Sequence, residues 1–465
     1  MCNVEGPPLK KLRPQLMHST EPLPIYLDFN ATTPVCRQAW EAIDECRHHW
    51  GNASSIHPYG LDANFVVSNA RERCQRAIGA ASAKHIIFTS GGTEANNLAI
   101  LGGARAAREL SNDNAQSSSS SPSPQERVVR DVIIATNTEH PAVEEVLKAA
   151  ETMFRDVFTA IRVPVDKSTG VLSPAALRQF LTTDLMATHN ISPNRVALVT
   201  VMHANNELGT IHPIAELVRV VKEHCGEGAL FHTDASQSIG KIRVHVEELG
   251  VDFLTVCSHK FYGPKGVGAL CVGSKTPLPK KITFGAGHES GLRPGTENII
   301  LYCGMAAALE LAVFDLGRAA KHLFDCRQAL LETLQMELAK KRGMFLVFNG
   351  SLEHAIPNTL NVAIGYSAAP SPQNPNPVPL FISAQRLITE LGHIVAMSAG
   401  SACHSSLKEG EAIVISAPLR AVGVEEARAV GTLRLTTGRS STIDEMKRAG
   451  RFIARRAIQQ LVEGW

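Results

Sequence analysis

Residues 251–266 read VDFLTVCSHKFYGPKG. The first seven make a short, mostly apolar run of the kind that is buried in a parallel sheet. The run stops at Ser258, and a Tyr-Gly-Pro turn follows within a few residues. Between run and turn stand His259 and Lys260. In open α/β sheets ligands gather outside the carboxyl ends of the strands, so Lys260 falls where a pocket is expected. Lys265, inside Gly-Pro-Lys-Gly, reads as an exposed turn lysine.

The pattern extends outward from this stretch. HIIFTS (85–90), RDVIIATN (130–137), RVALVTVMHAN (195–205) and GALFHTDAS (228–236) read as strands. EANNLAILGGARAAREL (94–110), PAVEEVLKAAETMF (141–154) and PIAELVRVVKEHC (213–225) read as helices, the second with proline in its first turn. Short strands alternating with helices predict an α/β fold around a mostly parallel sheet. Beyond about residue 310 a long helical pattern (316–343) precedes short strands and a closing helix (446–464). A chain of 465 residues is too long for one hydrophobic core. The expected organisation is a large domain over 40–310, a smaller α+β domain over 311–465, and an N-terminal segment, 1–39, that joins the smaller one. SNDNAQSSSSSPSPQER (111–127) is low-complexity Ser/Pro and is expected to be a disordered surface insertion; YSAAPSPQNPNPVP (366–379) is similar.

Composition narrows the class. The chain is 44% hydrophobic and 19% charged, with a net charge of +2, which argues against nucleic acid or an anionic membrane as main partner. No apolar run reaches the roughly 18 residues needed to span a bilayer. The ten cysteines are scattered, with no C-x-x-C pair, so neither a metal site nor a disulfide framework is indicated. Nine of them read as reduced structural thiols. Residues 1–24 lack the apolar centre of a signal peptide and contain Glu5 and Glu21, so the expected location is the cytosol rather than the mitochondrion.

Two further stretches carry chemistry. In TSGGTEANN (89–97) a strand ends in two glycines and a helix begins, which is either a plain strand–helix turn or a phosphate site built on free N–H groups. No G-x-G-x-x-G or Walker lysine occurs there. In HTDASQS (232–238) Asp234 ends an apolar run, where a buried carboxylate needs a cation, be it a salt-bridge partner or a protonated ring. One ligand would satisfy all three places. Pyridoxal phosphate needs a phosphate cradle, a carboxylate at its pyridinium nitrogen and a lysine amine for covalent attachment.

YLDFNATTP (26–34), TSGGTEANN, NTEHPAV (137–143), HANNELG (203–209), HTDASQS, SHKFYGPKG, RPGTEN (293–298) and GSACHSS (400–406) stand in the order found in pyridoxal-phosphate-dependent cysteine desulfurases and selenocysteine lyases. From about residue 25 to 445 the chain resembles this branch of the class-V aminotransferases. The resemblance implies a fold-type I pyridoxal-phosphate enzyme, with a large mostly parallel-sheet domain plus a smaller α+β domain. It implies that Gly92 and Thr93 hold the phosphate with Ser258 and His259, that His140 stacks on the ring, and that Asn206 and Gln237 touch its hydroxyl side. It further implies that Asp234 pairs with the ring nitrogen, that Lys260 carries the cofactor, and that Arg434 grips the substrate carboxylate, where the plainer alternative is a surface strand arginine, as Arg439 reads. Thr296 would reach the phosphate of a second subunit, hence a homodimer with shared sites. Catalysis is expected of Lys260, Cys403 and His140, with Cys403 on a loop of small residues and His404 beside it favouring its thiolate.

Ala402-Cys403-His404-Ser405 is similar to selenocysteine lyases, where housekeeping desulfurases usually have threonine after the cysteine. The insertion at 111–127 and the ending soon after the last helix point the same way. The resulting expectation is a selenocysteine lyase that decomposes L-selenocysteine to L-alanine and selenide, passed to an acceptor. The alternative is a cysteine desulfurase that leaves a persulfide on Cys403 for an acceptor protein. A transaminase would share Lys260 and Asp234 but needs no cysteine loop.

Overall fold

The computed structural model describes residues 23–117, 129–370, 372, 374, 376–399 and 415–463. Its strands are β1 (Ile25–Tyr26), β2 (Ile86–Thr89), β3 (Val132–Thr136), β4 (Thr159–Val163), β5 (Val196–Thr200), β6 (Leu230–Asp234), β7 (Phe253–Cys257), β8 (Gly268–Val272), β9 (Met344–Phe348), β10 (Thr359–Tyr366), β11 (Leu380–Phe381), β12 (Val395–Ala396), β13 (Ser398–Ala399) and β14 (Thr432–Thr436).

Seven of them form one sheet in the order β2-β8-β7-β6-β5-β3-β4. Every pairing from β7 to β4 is parallel, and β8 alone runs against its neighbours. The 258–267 stretch is therefore the connection of an antiparallel hairpin, closed where Cys257 faces Gly268. Nearly every residue of these strands is buried, because helices cover both faces, and that is why they read as continuous apolar runs. One face packs on the helices Pro58–Ile78, Ile214–Cys225 and Ile299–Phe314, the other on the helical run 92–117 and on Pro141–Thr152.

A second sheet, in the order β11-β10-β14-β13 with β9 also on β10, is antiparallel. The helices Leu316–Ala339 and Ile443–Ile458 cover it. The latter helix opens with a capping box, in which Thr442 and Glu445 satisfy each other's backbone N–H groups. Residues 25–28 belong to this part as well: β1 pairs with β12, and Asp28 bridges to Thr436.

Two expectations are corrected. The helix after β2 runs on to Ser117, so the first residues of the 111–127 segment are helical rather than disordered. Extending an existing helix is far easier than nucleating one, and Ser and Asn do not stop it. Ser111 also donates through Oγ to Arg108 O at 2.7 Å and accepts from Arg130 N at 3.4 Å, tying the two ends of the insertion together. Residues 118–127 lie outside the described part. The second correction is Arg439, read as a surface arginine. It is instead half-buried, paired with Asp315 at 3.4 Å and set over the Tyr262 ring. β4 and β8 are not among the strands expected from the sequence. Among the described residues no single helix is long and apolar enough to cross a membrane.

Candidate active site

The carboxyl ends of β2, β3, β5, β6 and β7 open on one cavity of about 530 Å³. β2 delivers Gly91, Gly92 and Thr93; β6 delivers Asp234 and Gln237; β7 delivers Cys257, His259 and Lys260; the loops after β3 and β5 bring His140 and Asn206. The Gly91-Gly92 turn sits so close that a Cβ on Gly268 would lie 2.9 Å from Gly91 Cα, and one on Gly92 would meet Cys257 and Ser236. Glycine is required for this approach.

Asp234 is 8% exposed. Its Oδ2 accepts from Asn96 Nδ2 at 2.8 Å and its Oδ1 from Ser236 N at 2.9 Å. No lysine or arginine among the described residues pairs with it, so its cation is not a salt-bridge partner in this part of the chain. Lys260 donates to Asn30 O at 2.7 Å and Ala31 O at 2.8 Å. Burial pushes its pKa below the ordinary lysine value; Cys257 and Asp234 act against this, Arg434 with it.

His140 caps the helix Pro141–Thr152, its Nδ1 accepting from Ala142 N at 3.0 Å. That bond assigns the ring proton to Nε2 in the neutral ring, and desolvation by the surrounding groups lowers its pKa even though the side chain is open to the cavity. The helix-start role and the cavity-facing position thus coexist. His259 Nδ1 lies 3.0 Å from Thr32 Oγ1, and burial, then Lys260 and Lys265, push its pKa down to about 4. Gln237 Nε2 donates to Asn30 O at 2.9 Å.

Arg434 reaches the edge of this region from β14. Its Nη2 donates to Asp28 at 2.7 Å and its Nη1 to Asn206 O at 3.3 Å, while Nε is buried without a partner. It is no surface arginine. One residue expected at the cavity stands elsewhere. Ser258 is fully buried behind the wall, its Oγ without a partner. Thr296 is exposed, on a segment pinned by the ion pairs Arg293–Glu94 and Arg71–Glu289. Cys403 lies outside the described residues.

Other residues were missed. Lys265 is exposed as expected, yet it stands at the mouth of the cavity. Asn96 sits one helical turn beyond Gly92 in a stretch already singled out, and that spacing could have revealed it. Cys257, among the thiols read as structural, lines the cavity. The eight described cysteines are free thiols, and no group of three or more His, Cys, Asp or Glu among the described residues could hold a metal ion.

The aminotransferase class-V model matches residues 25–114 and 128–405. The chain belongs to that family. The cysteine desulfurase IscS of Anaeromyxobacter dehalogenans is 36% identical over 433 residues, covering 92% of this chain and 91% of that protein. The selenocysteine lyase of Bos taurus is 35% identical over 439 residues, covering 91% of this chain and 90% of its own. Among solved structures, a NifS-like protein is 30% identical at a TM-score of 0.72, covering 93% of this chain and 99% of that one. The class-V chain has the fold-type I architecture and takes pyridoxal 5'-phosphate. The cavity fits that group: a glycine turn at a helix start suits a phosphate, a carboxylate with only neutral partners suits a pyridinium nitrogen, and a lysine of lowered basicity lines the same cavity.

Proposed function

We propose that this class-V enzyme takes the sulfur from L-cysteine, releasing L-alanine and leaving a persulfide on Cys403. The carrying observation is the single cavity in which Lys260, Asp234 and the Gly91-Gly92 turn meet, with Arg434 at its edge. Bound there, pyridoxal phosphate supplies an electron sink next to the substrate's α-carbon.

The chain's own groups do the rest. Gly92 and Thr93 offer N–H groups to the phosphate, and His259, uncharged, lies beside them. Asp234 holds a proton on the ring nitrogen, kept facing the cavity by Asn96 and Ser236. His140 presents a neutral ring, and Asn206 and Gln237 flank the hydroxyl side. Lys260, less basic than a free lysine, has more of its amine unprotonated near neutral pH, as both nucleophile and α-proton base require. Arg434, steadied by Asp28, orients the substrate carboxylate. The thiolate of Cys403 attacks the substrate sulfur: an S–S bond forms, the Cβ–S bond breaks, and its electron pair ends in a C–H bond of alanine. Cysteine plus thiol gives alanine plus persulfide, with nothing left over. Delivery to an acceptor protein, and a homodimer in which the exposed Thr296 meets the second subunit's phosphate, belong to the same reading.

Relatives named for cysteine match at least as well as those named for selenocysteine, and this moves the preference from the expected selenium to sulfur. His404 after Cys403 favours the second reading, a selenocysteine lyase. The test is alanine formation from L-cysteine and L-selenocysteine, side by side, in wild type and Cys403→Ser. The desulfurase forms alanine from cysteine and loses at least about 100-fold in the variant, since serine gives no thiolate near neutral pH. Alanine from selenocysteine alone would establish the second reading, and keto acid in place of alanine would exclude both.

A further inference from the structure

Lys241 is the most deeply buried lysine near the cavity, 6% exposed, and the site as described has no use for it. Its Nζ donates to two oxygens of one residue, Gln237 O at 3.1 Å and Gln237 Oε1 at 2.8 Å. No carboxylate among the described residues is its ion-pair partner. A buried ammonium without a counter-ion is expensive, and an apolar side chain of the same length would fill the space at less cost. The strain registers in its basicity, which burial, then Lys260 and Arg434, push down to about 7.

The contact has a definite consequence for Gln237. The two ends of a glutamine amide have the same shape, and only their hydrogen-bond partners decide which way they face. A lysine nitrogen that donates to Oε1 forces the NH2 end to the other side. There Nε2 donates one hydrogen to Asn30 O at 2.9 Å, and the second is left for the cavity that Gln237 lines. Asn30 O also accepts from Lys260 Nζ at 2.7 Å, so Lys241, Gln237, Asn30 and Lys260 form one chain of hydrogen bonds.

We propose that Lys241 is a positioning residue: it locks the Gln237 amide so that an N–H donor, never the carbonyl, faces the cofactor's ring oxygen. The inference rests on the cofactor reading of the cavity, and it concerns only residues of this chain. It assigns Lys241 no contact with substrate or cofactor.

The experiment measures the dissociation constant and the visible absorption maximum of pyridoxal phosphate in Lys241→Met, Gln237→Ala and the double variant. If Lys241 acts through Gln237, Lys241→Met weakens cofactor binding about 5- to 10-fold and shifts the band. In the Gln237→Ala background the same change does nothing further. Lys241→Arg, which keeps the donors, restores most of the affinity. Equal losses in both backgrounds, or a Lys241→Met protein with wild-type affinity and spectrum, would overturn the proposal. Should Lys241→Met not fold, Lys241→Gln and Lys241→Arg in the two backgrounds give the same comparison. A wild type that binds no cofactor would instead defeat the reading of the cavity itself.

Discussion

At the scale of single residues, Arg434 shows how the site combines fixed and free groups. Asp28 and Asn206 O take one hydrogen each, and Nε stays buried without a partner, so the guanidinium is held while keeping capacity for a carboxylate. Lysine retains the charge but not the fork. Arg434→Lys should therefore raise KM for the amino acid at least about 10-fold while the visible band of the bound cofactor is unchanged. Unaltered KM would transfer the role elsewhere, and Arg439, occupied with Asp315, is a poor heir. Lys260 makes a pH prediction. Its pKa is lowered, so its amine becomes reactive below the ordinary lysine value of about 10.4. The rate of cofactor attachment to the apoprotein should rise with pH and level off below that value; a midpoint at or above it would contradict the assigned burial. Lys260, Asp234 and the glycine turn were legible in the sequence because each interrupts an apolar run at a strand end. Asp28 was not, because its partner Arg434 comes from the second sheet, nor was Lys241, whose meaning depends on Gln237 being tied to Asn30.

At the scale of elements, runs buried on both faces declared themselves, and the strands β2, β3, β5, β6 and β7 follow from that alone. β8 escaped notice because it begins with the glycine that makes room for Gly91, and β4 because it lies at the sheet's edge with Thr159 exposed. The segment that begins at Ser111 was half legible: its composition reads as a loop, yet cooperative extension carries the helix to Ser117. Since Ser111 and Arg130 already hold the two ends together, removing residues 118–127 should leave the melting temperature and turnover close to wild type. Loop closure changes by only about 0.6 kcal/mol per doubling of length. Insoluble protein, or a fall in turnover with cofactor still bound, would show that the segment has a structural partner.

At the scale of the molecule, the sheet that carries the cavity is also where acid should act. Burial pushes His203 and His232 down to about 4 and His212 down to about 3, so the folded chain keeps all three neutral. The unfolded chain protonates them below about 6.5, binds more protons in that window, and is favoured as pH falls. Glu139, pushed up by burial to about 8, acts in the opposite sense between about 4.5 and 8, because there the folded chain holds the extra proton. His259, also pushed down to about 4, adds to the three, so the histidines outweigh Glu139 and the unfolded chain takes up more protons on acidification. The urea midpoint of the apoprotein should thus be lower at pH 5 than at pH 7, and an equal or higher midpoint at pH 5 would refute this balance. The architecture also brings three lysines, Lys260, Lys241 and Lys265, to one region, and only the first is claimed as the point of cofactor attachment. Borohydride reduction of the pyridoxal-phosphate-loaded protein, followed by peptide mass spectrometry, decides among them. The reduced cofactor adduct is expected on the peptide containing Lys260 and should disappear in Lys260→Ala; an adduct on Lys241 or Lys265 in the wild type, or none at all, would contradict this assignment.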